Sequence, residues 1–395
     1  MQPARPAHGP GSAPLKVMLF ANTDWYLYNF RRSLAQELRT RGHEVLLVSP
    51  PGDYGEQLRE LGFRWTPAPM LRRSLNPLRE IALVLWLRRL IVREQVDVVH
   101  GFTIKCAVYA SLAGRLARTA RGGPARVGAV AGMGYVFTSD DFTARLLRPI
   151  VRSLLRLALG GRNARLILQN PDDLAMFTRA SLMAPERMHL IPGSGVDSRR
   201  FVPRQAAAPA GGALRVLLPA RLLWDKGVAE FVAAARALRA EGVAIDFLLA
   251  GDPDPGNPAS VPAATVRGWV DEGVVQWLGH VQNMAELFRS VDVVVLPSYR
   301  EGLPKGLIEA AACAVPLVTT DAPGCREVVR DGVDGLLVPV KDPAALAAAI
   351  RRLAGDAELR QRLGAAARVN ALARYDERII IGMTLDVYRE LVPAL

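Results

Sequence analysis

Residues 291–309 read VDVVVLPSYREGLPKGLIE. The first seven are an apolar run rich in valine, short enough to be a strand buried on both faces. Gly302 and Pro304 then turn the chain, and from Leu303 the apolar positions recur at helical spacing. This strand–turn–helix unit aims a helix start at the carboxyl end of its strand. Unpaired amides and the macrodipole favour an anion there. Glu301 lies just before that start and Glu309 about two turns along, so one carboxylate can meet sugar hydroxyls while the other takes a diol. Gly302 and Gly306 permit close backbone approach. Alone, the segment would read equally well as a capped helix with surface glutamates.

The same alternation extends in both directions. Expected strands at Leu214–Pro219, Ile245–Ala250, Val274–Trp277 and Pro316–Thr320 alternate with helices at Gly227–Glu241 and Leu303–Ala314, and a helical stretch runs on from Pro343. Upstream, strands Lys16–Ala21, Val45–Ser49, Val96–His100 and Arg126–Val130 flank a helix over Phe30–Arg41 that Gly42 ends. Such alternation implies parallel sheets with right-handed crossovers. An Ala/Gly/Pro segment, RQAAAPAGGA at 204–213, separates the two series. At 395 residues the chain exceeds the usual limit of one core. The reading is α/β, with two Rossmann-like doubly wound domains facing a central cleft: a disordered tail (1–14), a first domain (15–200), a second (201–378) and a C-terminal helix (379–395) crossing back to the first. Ligands of such sheets bind beyond the carboxyl ends of the strands.

A second loop strengthens the first. In Pro219-Ala-Arg221-Leu-Leu-Trp-Asp-Lys226-Gly227 another strand end meets another helix start, now with two cations. Arg221 offers a planar fork and Lys226 a point charge, which suits a diphosphate. Asp252-Pro-Asp254 is a D-x-D pair that could hold Mg²⁺, but the two cations already supply the charge a leaving diphosphate needs.

Taken together, R-x4-K at Arg221 and Lys226, E-x7-E at Glu301 and Glu309, PGCREVV at 323–329 and DGLLVP at 334–339 resemble family 4 glycosyltransferases, which are retaining enzymes of GT-B fold. The resemblance covers most of residues 185–378 and implies hexosyl transfer. It places Arg221 and Lys226 on the donor diphosphate, Glu301 on the donor hexose and Glu309 on the ribose. The backbone of Gly302, Leu303 and Pro304 would lie near the sugar and phosphates, Val281 near the base, and Gly251 in the same donor set. It implies no metal and no other cofactor.

Residues 16–140 carry a weaker likeness through Tyr28-Asn-Phe-Arg31, Asp97-Val-Val-His100-Gly-Phe-Thr-Ile-Lys105 and Gly132-Met-Gly-Tyr135-Val-Phe137. It is similar to the subgroup extending undecaprenyl-diphosphate-linked sugars, N-acetylgalactosaminyltransferases among them. The implied donor is UDP-linked N-acetylhexosamine, chiefly UDP-GalNAc, and the implied acceptor is a polyprenyl-diphosphate-linked sugar met by Arg31, His100, Lys105 and Tyr135. His100, ending a strand that faces the cleft, also joins the catalytic set with Glu301, Arg221 and Lys226. Two departures stand out. Asn22-Thr23-Asp24 replaces a Gly-Gly pair that many members carry, and Val130-Ala131-Gly132 lacks their histidine.

Charge is divided unevenly. Residues 1–200 hold 29 Lys and Arg against 15 Asp and Glu, a net +14; residues 201–395 hold the other 21 and 23, a net −2. Arg145, Arg148, Arg152 and Arg156 fall on one helix face, beside Arg72, Arg73, Arg79, Arg88, Arg89 and Arg93. That face suits an anionic membrane surface. The longest apolar run, Ile81–Val92, is cut by Arg88 and Arg89, so no span is expected. Residues 1–14 lack an apolar leader core, and the three cysteines show no pairing pattern. The expectation is a cytoplasmic protein, peripheral on the inner face of the membrane. A sequence pI near 10.1 raises nucleic-acid binding as a rival, yet no nucleic-acid module is recognisable and none is expected as a partner. A sugar epimerase with two Rossmann-like halves is the rival enzyme, which the R-x4-K and E-x7-E set opposes.

Overall fold

The computed structural model describes residues 14–72, 74, 76–130, 142–205, 212–393 and 395, without the side chains of 142–148, 150 and 151. The chain divides into two compact units: Met1–Ile191 with Ile381–Leu395, and Pro192–Ile380.

The first unit holds a parallel sheet in the order β3-β2-β1-β4-β5-β6-β7. Its strands are β1 (Lys16–Phe20), β2 (Glu44–Ser49), β3 (Arg64–Pro67), β4 (Val98–Phe102), β5 (Ala125–Val130), β6 (Ala164–Leu168) and β7 (Met188–Leu190). Order reverses between β1 and β4, where Val17 pairs with Val98. Apolar side chains cover both faces: Met18, Phe20 and Val99 pack with Leu83 and Leu87, and Val130, Leu166 and Leu168 with Leu155 and Phe177.

The second unit repeats the plan as β10-β9-β8-β11-β12-β13. Its strands are β8 (Leu214–Pro219), β9 (Ile245–Ala250), β10 (Gln276–Trp277), β11 (Val293–Leu296), β12 (Leu317–Thr320) and β13 (Leu336–Val338). Alternate residues feed opposite faces. Val216, Leu218, Val293 and Val295 belong to one cluster; Leu217, Val294 and Leu296 belong to the other. This two-sided burial is why the strands read as unbroken apolar runs. The order reverses between β8 and β11, so the loops after these strands open at the switch point.

Several expected elements shift. The helix expected over Phe30–Arg41 starts earlier: Thr23 caps Tyr26 N–H at 3.1 Å, and the chain passes through a π-helical turn, Leu27–Arg31, before Arg32–Thr40. The helix expected over Leu303–Ala314 is Lys305–Ala312, because Pro304 has extended backbone. Strands β3, β6, β7 and β13 have no counterpart in the sequence reading. No described helix is long and apolar enough to cross a membrane.

Candidate active site

The two loops at the β8/β11 switch point are tied together by backbone. The Asp225 carbonyl accepts from Tyr299 N–H at 2.9 Å and from Ser298 Oγ at 3.0 Å. Gly227 takes the left-handed conformation, φ 72°, and a Cβ there would sit 2.1 Å from the Pro297 carbonyl oxygen. Only glycine allows the turn Trp224–Lys226 to lie this close to the end of β11. The Tyr299 hydroxyl donates to Glu230 Oε1 at 2.7 Å, fixing the loop to the helix Val228–Ala240.

Lys226 and Glu301 meet as a result. Their Nζ and Oε1 are 2.5 Å apart, with 15% and 14% of the side chains exposed. Glu301 is backed by the PGCREVV segment: its N–H donates to the Pro323 carbonyl at 2.9 Å, and a Cβ on Gly324, at φ 85°, would fall 2.5 Å from the Glu301 carbonyl oxygen. The Cys325 thiol beneath is pushed up to about 12, by burial first and then by the Glu301 charge. It is a packing group rather than a nucleophile.

Arg221 follows β8 and its Nη1 lies 2.8 Å from Asp254 Oδ2. Gly251 closes β9 at φ 138°, where a Cβ would meet the Ala220 carbonyl oxygen at 2.1 Å. Its N–H donates to the Gly279 carbonyl at 2.7 Å, which holds the segment carrying Val281 beside the site. Val281 itself packs on the second unit's core.

The helix Lys305–Ala312 starts at Pro304 without a side-chain cap. Glu309 lies on it, 3.7 Å from Lys305 Nζ and largely buried. Burial raises its carboxyl above the usual range, while Lys305 and Arg200 pull it back. Two contributors escaped the sequence reading. Arg200 acts on Glu309, and Gly193, at φ 75°, lies against Leu303, its Cβ position 3.1 Å from Leu303 Cδ2. The glycine pair of Gly193-Ser-Gly195 was the available signal.

In the first unit His100 and Arg31 come together at the β1/β4 switch point. His100 is fully buried; its Nδ1 is 2.6 Å from the Tyr388 hydroxyl, and its Nε2 has no partner. Burial, then the Arg31 charge, holds its pKa well below the ordinary value, so the ring is neutral at pH 7. Arg31, also buried, donates to the Tyr26 hydroxyl at 2.9 Å and lies 4.3 Å over the Phe102 ring, with Nε unpartnered. Asp24, standing where a Gly-Gly pair was the comparison, receives Tyr54 N–H at 2.8 Å and Gly55 N–H at 2.9 Å. It anchors a loop.

Lys105 is turned elsewhere. Its ammonium donates to Glu80 Oε1 and to the carbonyls of Leu71 and Ser74, at 3.0, 3.1 and 2.9 Å, which makes it a clamp on that loop. Arg156 donates to the carbonyls of Ser181 and Ala180, and Arg152 is half-buried. Tyr135 and the side chains of Arg145 and Arg148 lie outside the described residues.

The geometry thus gathers cations, carboxylates and a helix start at the switch point of a doubly wound sheet, and the comparisons name the class of protein. The model for "Glycosyl transferase 4-like domain" matches residues 29–193 and that for "Glycosyl transferases group 1" residues 213–356. The chain belongs to this glycosyltransferase family and is a hexosyltransferase. It is 28% identical over 388 residues to the N,N'-diacetylbacillosaminyl-diphospho-undecaprenol alpha-1,3-N-acetylgalactosaminyltransferase of Campylobacter jejuni, covering 96% of this chain and 99% of that one. It is 24% identical over 298 residues to an Escherichia coli UDP-Gal:alpha-D-GlcNAc-diphosphoundecaprenol alpha-1,3-galactosyltransferase, covering 73% and 74%. The crystal structure of a glycosyltransferase from Rickettsia africae superposes with a TM-score of 0.78 at 16% identity, over 96% of this chain and 99% of that one. This likeness bears out the GT-B fold.

Proposed function

We propose that this glycosyltransferase moves N-acetylgalactosamine from UDP-GalNAc to a sugar carried on a polyprenyl diphosphate, with retention at the anomeric carbon, in bacterial surface-glycan assembly. The observation that carries the reading is the Lys226–Glu301 contact, which sets a phosphate-seeking cation beside a hydroxyl-seeking carboxylate at the β8/β11 switch point. The Campylobacter relative, named for a GalNAc transfer to a diphospho-undecaprenol acceptor, supports the choice of sugar and acceptor. The Escherichia coli relative, named for UDP-Gal, supports a uridine donor.

In this mechanism Arg221, Lys226 and the start of the helix Lys305–Ala312 stabilise the departing diphosphate. The bond from the anomeric carbon to the β-phosphate oxygen breaks, and the acceptor oxygen bonds to the same face. Its proton passes to the departing phosphate oxygen, so no protein nucleophile is needed. Glu301 holds the hexose and Glu309 the ribose. Metal independence is supported by the pairing of Asp254 with Arg221. On the acceptor side, the unpartnered nitrogens of Arg31 and His100 offer donors to an acceptor oxygen, His100 through its Nε2–H tautomer.

The enzyme works on the cytoplasmic face of the membrane as a peripheral protein. The net positive first half supports this, as do Leu78, Ile81 and Leu85, exposed along one face of the helix Pro77–Glu94. The test is transfer from a panel of labelled UDP-sugars to a short polyprenyl-diphosphate-linked N-acetylhexosamine, with and without EDTA and beside Glu301→Ala. An EDTA-resistant product from UDP-GalNAc that the variant fails to make is expected. Failure with every UDP-sugar refutes the donor assignment.

A further inference from the structure

The Asp252-Pro-Asp254 pair has no place in the transfer chemistry, yet the fold builds it against the diphosphate loop. After Gly251 the chain runs beside residues 221–224. Leu222 N–H donates to the Asp252 carbonyl at 3.0 Å, Trp224 N–H to the Ala259 carbonyl at 2.8 Å, and Val261 N–H to the Leu222 carbonyl at 2.9 Å. Leu223 and Ser260 form an antiparallel bridge between these contacts. The two segments therefore move as one.

Within this patch Asp254 is held on several sides. Its N–H donates to Ser260 Oγ at 2.9 Å, its carbonyl accepts from Asn257 N–H at 2.9 Å, and Asn257 Nδ2 donates to its Oδ2 at 3.2 Å. The Asp254 side chain is 13% exposed, whereas Arg221 is 53% exposed. A rigid carboxylate thus grips a long cation that would otherwise sample many rotamers. The contact engages one N–H of Nη1 out of five on the guanidinium. The others stay available for a paired grip on phosphate oxygens.

We infer that Asp254 is a positioning residue: it holds the Arg221 fork ready for the donor diphosphate and so serves donor affinity instead of binding a metal. The inference rests on the proposed donor role of Arg221. A divalent ion at Asp254 would have to displace a guanidinium already 2.8 Å from its carboxylate, and like charges so close repel.

The test is a double-mutant cycle with Asp254→Ala, Arg221→Ala and the pair, reading donor KM and kcat in transfer and UDP affinity by calorimetry, each with and without EDTA. Asp254→Asn, which keeps the volume and one acceptor oxygen, guards against misfolding. Asp254→Ala is expected to raise donor KM about tenfold with kcat changed less than about threefold, since a pre-organised binding contact is lost. Asp254→Asn should give a smaller rise. Neither substitution should add to the loss already caused by Arg221→Ala, because a residue acting through another has no effect once that one is gone. An unchanged KM in Asp254→Ala beside an impaired Arg221→Ala overturns the inference and leaves the donor site standing. An equal penalty in the Arg221→Ala background overturns it too, as does activity that EDTA abolishes and Mg²⁺ restores. An unimpaired Arg221→Ala refutes the donor role and the inference together.

Discussion

Gly227→Ala tests whether the approach of the two loops at the β8/β11 switch point governs activity. The new Cβ would lie 2.1 Å from the Pro297 carbonyl oxygen, against the 3.0 Å that real Cβ contacts respect. The turn and the end of β11 must therefore separate by roughly 1 Å. Left-handed backbone adds about 1 kcal/mol for alanine over glycine. Lys226 is the neighbouring residue, and its 2.5 Å contact with Glu301 would open to roughly 3.5 Å, past ordinary hydrogen-bond length. A displacement of this size at a charge-stabilising group costs about a hundredfold in rate, equivalent to about 2.7 kcal/mol of transition-state stabilisation. The assay is kcat/KM for the donor, beside far-ultraviolet circular dichroism and a melting curve to confirm folding. A folded variant with parental kcat/KM would refute the claim that this approach sets the Lys226–Glu301 geometry.

Three further outcomes follow from the same description. Burial raises the Glu309 carboxyl, and the ribose hydroxyls proposed to donate to it would favour its ionised form; UDP should therefore bind more tightly as pH rises through the interval just above the ordinary glutamate range, releasing a proton. Glu309→Gln should remove that part of the pH profile in calorimetry, and an identical profile would count against the ribose contact. Tyr388→Phe takes from buried His100 the partner of its Nδ1 and should destabilise the first unit by about 1–3 kcal/mol, read as a drop of a few degrees in its melting transition; an unchanged melt would contradict the buried contact. Replacing Leu78 and Ile81 with serine removes exposed apolar surface and should weaken cosedimentation with anionic vesicles at least tenfold, with folding intact. Unaltered cosedimentation would remove this helix face from the membrane reading.

The two loops at the β8/β11 switch point were largely legible because their geometry is local. Strand, glycine turn and helix start follow one another within residues 291–309, so Glu301 and Glu309 are placed by spacing alone. The R-x4-K loop was legible for the same reason. What escaped depends on contacts distant in sequence. Nothing near His100 announces Tyr388, 288 residues away. Lys105 looked available beside His100, but Glu80 and the carbonyls of Leu71 and Ser74, some thirty residues earlier, claim it. Arg156 keeps its place on an arginine face by periodicity and stays exposed, whereas the carbonyls at 180 and 181 tie down its guanidinium. The short strands β7 and β13 have three residues each, too few for a period-two pattern to register. The π-helical turn at Leu27–Arg31 has no compositional signature, since its extra residue per turn is set by packing.

Tyr388 also bears on how the polypeptide comes to be finished. The first unit is discontinuous, closed by Ile381–Leu395, while the second is a single uninterrupted stretch. During synthesis the second unit has every residue it needs before the first does, although it starts later. The first must wait with the pocket for Tyr388 and Leu385, both without exposed surface in the finished fold, still open to water. The order of completion is therefore the reverse of the order of synthesis. A chain cut after Ile380 would damage the half that was made first.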